Sequence, residues 1–206
     1  MSGRPLDFPP HAFRRLDEED DSVFYAVPRP VVHLDPVALG ALVRVYEDVL
    51  PPRGHVLDLM ASWRSHLPAS FAGTVLGLGM NATELRDNPR LAQALVHDLN
   101  RDPRLPFADD VFDAVTCAVS VQYLTRPVEV FAEVRRTLRP GCPFVVSFSN
   151  RCFPEKVVAL WRVATDQQHV AIVTAYFAAA GFPEMFERAF TPDVGDPLYA
   201  VWSYKP

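Results

Sequence analysis

The segment Leu105-Pro106-Phe107-Ala108-Asp109-Asp110-Val111-Phe112-Asp113-Ala114-Val115 joins a polar turn to a valine-rich apolar run that continues to Val119. A short apolar run bounded by turn-forming residues is typical of a strand that is buried in a parallel sheet. Similar runs occur on both sides of this segment. Together they predict strands at 55–60, 74–80, 95–99, 111–119, 144–148, 184–190 and 198–204.

Segments with helical periodicity separate most of these strands. Asp35 and Pro36 are a typical N-cap and first residue for a helix over 35–50. Asn81 is the predicted N-cap of a second helix, and Glu84 stands where it would complete a capping box. Further helices are predicted at 67–72 and 127–138, and a pair of helices is predicted over 154–180. The alternation predicts an α/β fold with helices on both faces of a parallel sheet, and the last two strands are expected to form an antiparallel end.

The composition places the chain among globular proteins of ordinary size. It has 206 residues, of which 49% are hydrophobic and 22% are charged, and a formal net charge of −5. This balance argues against nucleic acid as a partner. We find no signal peptide and no apolar run long enough to span a membrane. Three cysteines without CxxC spacing favour a reducing, cytoplasmic location, and six scattered histidines give no reason to expect a metal site.

The N-terminal part divides into two segments. Prolines and an acidic run at 17–21 predict a flexible arm over residues 1–23. The remainder, 24–206, is expected to be a single domain, with an N-terminal cap and helix at 24–54 and a core at 55–206. Phe24–His33 is proline-rich and too apolar to be left in water, so it is expected to pack over the domain as part of a lid or to form a subunit contact. The sequence does not predict the oligomeric state.

The stretch 56–64, Val-Leu-Asp-Leu-Met-Ala-Ser-Trp-Arg, has the form of a nucleotide-binding strand and turn without its glycines. In such turns an acid at the strand end binds the ligand, and glycines allow the backbone a close approach. The acid, Asp58, is present, but Met60, Ser62 and Arg64 stand where glycines are expected. Non-glycine residues can occupy such a turn where φ stays negative, and Met60 is the hardest of the three to accommodate.

Two motifs carry a resemblance to a known family. Residues 105–115 closely resemble the LPF-x-D-x-x-FD-x-V signature of small class I S-adenosylmethionine (SAM)-dependent methyltransferases of the type-11-like family. Leu138-Arg139-Pro140-Gly141 is similar to the L-[KR]-P-G turn that precedes their fifth strand. The resemblance extends from about residue 55 to the C-terminus, with a degenerate, glycine-free first motif. It implies a Rossmann-like sheet of seven strands in the order 3-2-1-4-5-7-6, with the last strand antiparallel, and SAM as cofactor.

The resemblance also implies a SAM site. It places Asp58 and the following turn beside the methionine moiety, and Asp98 beside the adenine amino group. The position of the acid that normally holds the ribose hydroxyls is Gly79, and Asn81 is the nearest polar replacement. The residues assigned to SAM are Asp58, Met60, Ala61, Ser62, Gly79, Met80, Asn81, Asp98, Leu99, Asn100 and Ser120.

Residues that follow strands four and five are candidates for the acceptor pocket. They are Gln122, Tyr123, Asn150, Arg151 and Cys152. Arg151 could orient an anionic acceptor, although a polar loop would look the same. If the acceptor must lose a proton, the candidate general bases are His33, His66 and Tyr123. Arg64 or His66 could meet the cofactor carboxylate.

Three functions remain compatible with these residues. The first is methyl transfer from SAM to a small-molecule acceptor by in-line displacement. The second is a methyltransferase fold that has lost catalysis and serves as a binding or scaffold protein. The third is non-methyl chemistry on the same fold, such as an elimination or rearrangement. Polar groups gathered at one sheet edge favour a functional pocket, and the acceptor atom cannot be predicted.

Overall fold

The computed structural model describes residues 8–206 and contains one seven-stranded sheet. The strands are β1 (His55–Leu59), β2 (Thr74–Gly79), β3 (Gln93–Val96), β4 (Ala114–Ala118), β5 (Pro143–Phe148), β6 (Met185–Phe190) and β7 (Leu198–Tyr204). Their order is β3-β2-β1-β4-β5-β7-β6. The first five strands are parallel, whereas β7 runs antiparallel to both of its neighbours. The predicted fold class and strand order are confirmed.

Helices cover both faces of the sheet, because alternate residues of each buried strand point to opposite sides. Leu57 of β1 belongs to the core beneath the helices Pro127–Thr137 and Asp166–Ala179, while the adjacent Val56 belongs to the core beneath the helix Pro36–Val49. The α-helices are α1 (Asp21–Phe24), α2 (Pro36–Val49), α3 (Ala82–Asp87), α4 (Pro127–Thr137), α5 (Ala159–Arg162) and α6 (Asp166–Ala179). Short 3-10 turns occur at Pro10–Phe13 and Val121–Tyr123.

The helix predicted at 67–72 is absent from the structure. Leu67 and Phe71 are buried there, but the segment is a turn in which the Pro68 carbonyl accepts the Phe71 amide. The Arg90 guanidinium also donates to this carbonyl, at 2.8 Å. Proline has no N–H to contribute to a helix, and its carbonyl already has partners here, so burial of the two apolar side chains does not require a helix.

The N-terminal segment differs from the loose, solvated arm that its acidic run predicts. Residues 1–7 lie outside the described part of the chain, whereas the segment 17–33, called the strap below, packs against the domain. The Lys156 ammonium is fully buried and lies 2.9 Å from the Asp17 carboxylate and 3.1 Å from that of Asp21. Arg15 donates to both oxygens of Asp21. Buried counter-ions therefore hold an acidic run that would otherwise be expected in solvent.

Candidate cofactor and acceptor site

A cavity lies at the carboxyl edge of the parallel strands, beneath the strap. Its space between protein atoms is about 1130 Å³, including the open mouth. Parallel α/β sheets bind ligands at this edge, because the loops that follow neighbouring strands diverge there. The sheet contributes residues that follow β1, β2, β3 and β4, and the strap contributes Asp21, Tyr25, Arg29, Val31 and His33.

Asp58 lies near the end of β1 with its side chain in the cavity wall and only 5% of its surface exposed. Its carboxylate accepts hydrogen bonds from the Ser65 hydroxyl at 2.5 Å and the Thr116 hydroxyl at 3.3 Å. Burial nevertheless raises the pKa of Asp58 to about 6. Both partners are neutral, so the carboxylate is suited to a cationic ligand group that would supply the missing positive charge.

The turn after Asp58 keeps the backbone shape of a glycine turn without the glycine. Met60 has a φ of 58°, in the left-handed region, so the condition of a negative φ is not met at the position that is hardest to accommodate. The Ala61 amide then donates to the Leu78 carbonyl at 2.8 Å, which draws the turn over the end of β2. A Cβ on Gly79 would lie 2.1 Å from the Ala61 carbonyl oxygen. The glycine at position 79 is therefore required by the turn that has lost its own glycines.

Asn81 and Glu84 connect α3 to the strap. The Asn81 side-chain oxygen caps α3 by accepting from the amides of Thr83 and Glu84, and its amide nitrogen donates to the Tyr25 carbonyl at 2.8 Å. Asn81 lines the cavity, but these bonds commit its side chain to the helix end and the strap. Glu84 does not complete a capping box. Its carboxylate turns away to accept the Arg29 amide and the Ser62 hydroxyl, both at 2.5 Å.

Asp98 and Asn100 form the wall that follows β3. The Asp98 carboxylate accepts the amides of Asn100 and Arg101, at 2.9 and 3.2 Å, which fixes the loop. The Asn100 amide nitrogen donates to Asp21 of the strap and to the Tyr123 carbonyl. The two loops and the strap thus share one hydrogen-bond network at this end of the cavity.

Two of the candidate bases are histidines that line the cavity. Burial and the nearby Arg151 lower the pKa of His33, and its ring packs edge-on against Phe153 at 4.9 Å. Burial, with a smaller contribution from His33, lowers the pKa of His66 to about 4. Both imidazoles are therefore neutral at pH 7 and add no positive charge to the cavity.

Tyr123 also lines the cavity, but the structure does not support it as a base. Burial raises the pKa of its hydroxyl, and the oxygen already accepts the Phe153 amide at 2.8 Å. Arg64, considered for a cofactor carboxylate, lines the cavity with its guanidinium 4.5 Å from the Trp63 ring centroid. All the residues assigned to SAM line the same cavity: Asp58, Met60, Ala61, Ser62, Gly79, Met80, Asn81, Asp98, Leu99, Asn100 and Ser120.

Four residues proposed for the acceptor lie outside the cavity lining. Gln122 is fully buried and donates to the Val119 carbonyl, so its side chain belongs to the loop interior. Arg151 pairs with Asp196 at 2.7 Å, and neither Asn150 nor Cys152 lines the cavity. Phe153, the next residue, lies in the wall instead. Position after a strand predicted the correct edge of the sheet, but not which loop residue turns inward.

The sequence analysis assigned several lining residues only as part of a segment: Tyr25, Arg29 and Val31 within the expected lid, and Trp63 within the turn after Asp58. It missed others altogether: Asp21, Leu78, Glu84, His97, Ala118, Val119, Leu124 and Phe153. The strap residues carry no motif, because their place depends on contacts with Lys156, Asn81 and Trp63, far away in the sequence. Glu84 had a signal, an acid in the first turn after β2, but the capping-box pattern accounted for it.

Residues 8–206 contain neither a cluster of metal ligands nor a helix that could span a membrane. We find no cluster of three or more His, Cys, Asp or Glu side chains with the spacing of a metal site. No helix in this range has the length and apolar character needed to cross a membrane.

Comparison with known proteins gives a consistent result. Residues 61–146 match the family model described as a methyltransferase domain. The chain is 36% identical over 85 residues to methyltransferase phqN of Penicillium fellutanum, an alignment that covers 38% of this chain and 26% of that protein. The chain spans only 20–26% of the length of the curated relatives that it matches.

Solved structures agree in fold at low sequence identity. A SAM-dependent methyltransferase from Thermotoga maritima superposes with a TM-score of 0.60 at 14% identity, covering 82% of this chain and 89% of that chain. The [4+2]-cyclase SpnF also gives a TM-score of 0.60 at 14% identity, covering 81% of each chain. The chain thus has the fold of class I SAM-dependent methyltransferases, and residues 61–146 match the model of the methyltransferase-domain family.

Proposed function

We propose that the protein binds SAM and transfers its methyl group to a small-molecule acceptor. The observation that carries this proposal is the shared position of Asp58, near the end of β1, and Asp98, just after β3, which line one cavity beneath the strap. Because β2 lies between β1 and β3 in the sheet, the two residues sit on opposite sides of β2, which suits the two ends of an extended nucleoside-containing ligand better than a single ion. The family match and the fold support the same assignment.

The charges of the cavity fit SAM, which carries an ammonium and a sulfonium. Asp58 and Glu84 are buried carboxylates in the lining, and each accepts hydrogen bonds from neutral donors. The Arg29 guanidinium is directed to the Phe24 and Val27 carbonyls and lies 4.0 Å from the Phe24 ring centroid. A cationic ligand would therefore gain from the lining and would relieve the cost of burying its anions.

When bound, SAM supplies an electrophilic methyl group. The chain has to hold and align the two reactants, and alignment alone can contribute on the order of 7–11 kcal/mol to the rate. Asp58 and Asp98 would bind the ends of the cofactor, while Tyr25 and Val31 of the strap would exclude water from the reacting groups. Neutral His33 and His66 would avoid electrostatic repulsion of the sulfonium.

The same walls suggest the class of acceptor. Tyr25, Trp63, Tyr123 and Phe153 give the cavity an aromatic surface that suits a small, flat or apolar acceptor. If a proton must be removed, His33 is the better base, because a pKa of about 4 makes His66 a weak one at neutral pH. Three unpaired cysteines, Cys117, Cys142 and Cys152, support a reducing compartment such as the cytoplasm.

The proposal is tested by calorimetric titration with SAM and with S-adenosylhomocysteine. We expect submillimolar binding of both ligands that is lost or weakened at least tenfold in Asp58→Ala and Asp98→Ala. Asp87→Asn, an exposed carboxylate on α3, serves as the matched control and should bind as the parent does. Failure of both ligands to bind at millimolar concentration would exclude the proposal and favour a scaffold role.

If the protein binds SAM but methylates no acceptor, non-methyl chemistry on the same fold becomes the favoured function. The fold itself is shared with a [4+2]-cyclase. Mass spectrometry of reactions with isotopically labelled SAM separates the two cases, because methyl transfer consumes SAM and the alternative leaves it intact.

A further inference from the structure

Four carboxylates line the cavity, and they differ in the partners that they have within the protein. They belong to Asp21, Asp58, Glu84 and Asp98. Asp21 is held by Arg15, Lys156 and Asn100, so its charge is used to fasten the strap. The proposed function assigns Asp58 to the methionine end of SAM and Asp98 to the adenine. Glu84 is the remaining carboxylate of the four, to which no part of SAM has been assigned.

Glu84 is buried without a counter-ion. Only 9% of its surface is exposed, and among residues 8–206 no Lys, Arg or His side chain forms an ion pair with it. Its two oxygens each accept one short hydrogen bond, from the Arg29 amide and the Ser62 hydroxyl. A carboxylate oxygen has two lone pairs, so each oxygen keeps the capacity to accept one more donor.

The position at the end of β2 cannot hold an acid. The Ala61 carbonyl oxygen would lie 2.1 Å from a Cβ at position 79, and its carbonyl carbon 3.1 Å away. Both atoms belong to the backbone of a turn that is fixed to β2 by the bond from the Ala61 amide to Leu78. Relief would require the whole turn to move, so no side chain at this position can reach a ligand.

Glu84 lies near Gly79, on the helix α3 that follows β2. It lies in the first turn of α3, directly after β2, and its carboxylate is in contact with Ser62 of the turn that covers Gly79. A pair of neighbouring hydroxyls is a pair of donors that one carboxylate can accept together, one on each oxygen. Glu84 therefore offers the acceptors that a vicinal diol needs, within reach of the turn.

We propose that the Glu84 carboxylate binds the 2′- and 3′-hydroxyls of the SAM ribose, in place of the acid that Gly79 excludes. This inference rests on the proposed function, because it requires a nucleoside ligand in the cavity. It also assigns Ser62 and the Arg29 amide a positioning role, since they hold the carboxylate in the cavity wall. The strap and the ribose subsite then share one residue.

The test compares S-adenosylhomocysteine with its 2′,3′-dideoxy analogue by calorimetry, in the parent and in Glu84→Gln. The parent should prefer the diol about tenfold to hundredfold, the range for hydrogen bonds to a charged group. In Glu84→Gln that preference should fall by about tenfold or more, while affinity for the dideoxy analogue changes little. Asp87→Asn, on the same helix, should retain the full preference.

An unchanged preference for the diol in Glu84→Gln would overturn the inference and leave the proposed function standing. Absence of binding of S-adenosylhomocysteine to the parent would overturn the proposed function itself. If the variant does not fold, the parent protein has its own reporter, because the Arg29 amide donates to the carboxylate. Its NMR resonance should shift with S-adenosylhomocysteine and not with the dideoxy analogue, and equal shifts would overturn the assignment.

Discussion

The buried ammonium of Lys156 lies 3.1 Å from the buried carboxylate of Asp21, and this pair joins the strap to the loop after β5. Removing one partner of a buried pair typically costs about 3–5 kcal/mol when the other charge is left uncompensated. Arg15 still pairs with Asp21 in Lys156→Met, so we expect a smaller loss in the free energy of unfolding, about 2 kcal/mol in urea titrations.

The matched control for this pair is on the surface. Arg188 and Asp48 are 2.6 Å apart but remain about half exposed, at 44% and 59% of their side-chain surface. Exposed ion pairs contribute about 0–1 kcal/mol, so Arg188→Met should change stability by less than about 1 kcal/mol. Equal effects of the two substitutions would contradict the assignment of Lys156 as the residue that fastens the strap.

Gly79→Ala tests the contact between the turn and β2. The added Cβ would meet the Ala61 carbonyl oxygen at 2.1 Å, so the substitution should destabilise the protein by about 1–3 kcal/mol or more. Gly40→Ala is the control with the opposite sign. It lies inside α2, where the nearest atom to a new Cβ is the end of Arg44 at 3.8 Å, and should stabilise the protein by about 0.5–1 kcal/mol. Thermal unfolding of both variants measures the difference.

The left-handed conformation of Met60 predicts a reversed order of two substitutions. Glycine at an ordinary position is less stable than alanine by about 0.5–1 kcal/mol. At a φ of 58°, alanine bears the steric cost of about 1–2 kcal/mol that glycine escapes. Met60→Gly should therefore be more stable than Met60→Ala in urea unfolding. The usual order would mean that the turn does not hold this backbone conformation.

The pKa of Asp58 predicts a pH dependence. Burial raises it from 3.8 to about 6, so the folded protein binds the proton more tightly than the unfolded chain. The free energy of unfolding from this group is highest below about pH 4, falls as the pH rises to about 6, and is lower by about 3 kcal/mol at most above that. Asp58→Asn removes this dependence, so the parent's stability relative to the variant should decline across this pH window.

Binding of a cation beside Asp58 should have the reverse dependence. The ligand requires the ionised carboxylate, so affinity for S-adenosylhomocysteine should weaken as the pH falls below about 6. Comparing the parent with Asp58→Asn cancels the histidine contributions. If the variant binds as tightly as the parent at every pH, the carboxylate does not contact the ligand.

Local sequence patterns predicted the sheet but only part of the site. Apolar runs such as 111–119 predict strands because burial on both faces leaves a continuous apolar pattern, and parallel strands bring Asp58 and Asp98 to one edge. The packing of Phe24–His33 over the domain was expected from its apolar residues, but that of the acidic part of the strap could not be predicted in this way. Its acidic residues are indistinguishable from a solvated run until Lys156, 135 residues beyond Asp21, is placed beside them.

The roles of Gly79 and Glu84 also depend on contacts between separate segments. Gly79 looked like a lost ligand residue, but it is the place where the backbone of Ala61 crosses β2. Glu84 looked like half of a capping box, but its carboxylate faces the cavity. A helix was expected at 67–72 because Leu67 and Phe71 are apolar. In the structure a turn that is bonded to Arg90 buries both side chains without a helix.

The strap is fastened at one end by Lys156 and at the other by Asn81, Glu84 and Trp63. The cavity has an open mouth, so a ligand beneath the strap is not sealed in, but each break in these contacts would widen its exit. The residence time of the ligand would depend on the lifetime of the ionic fastening as well as on the ligand's own contacts.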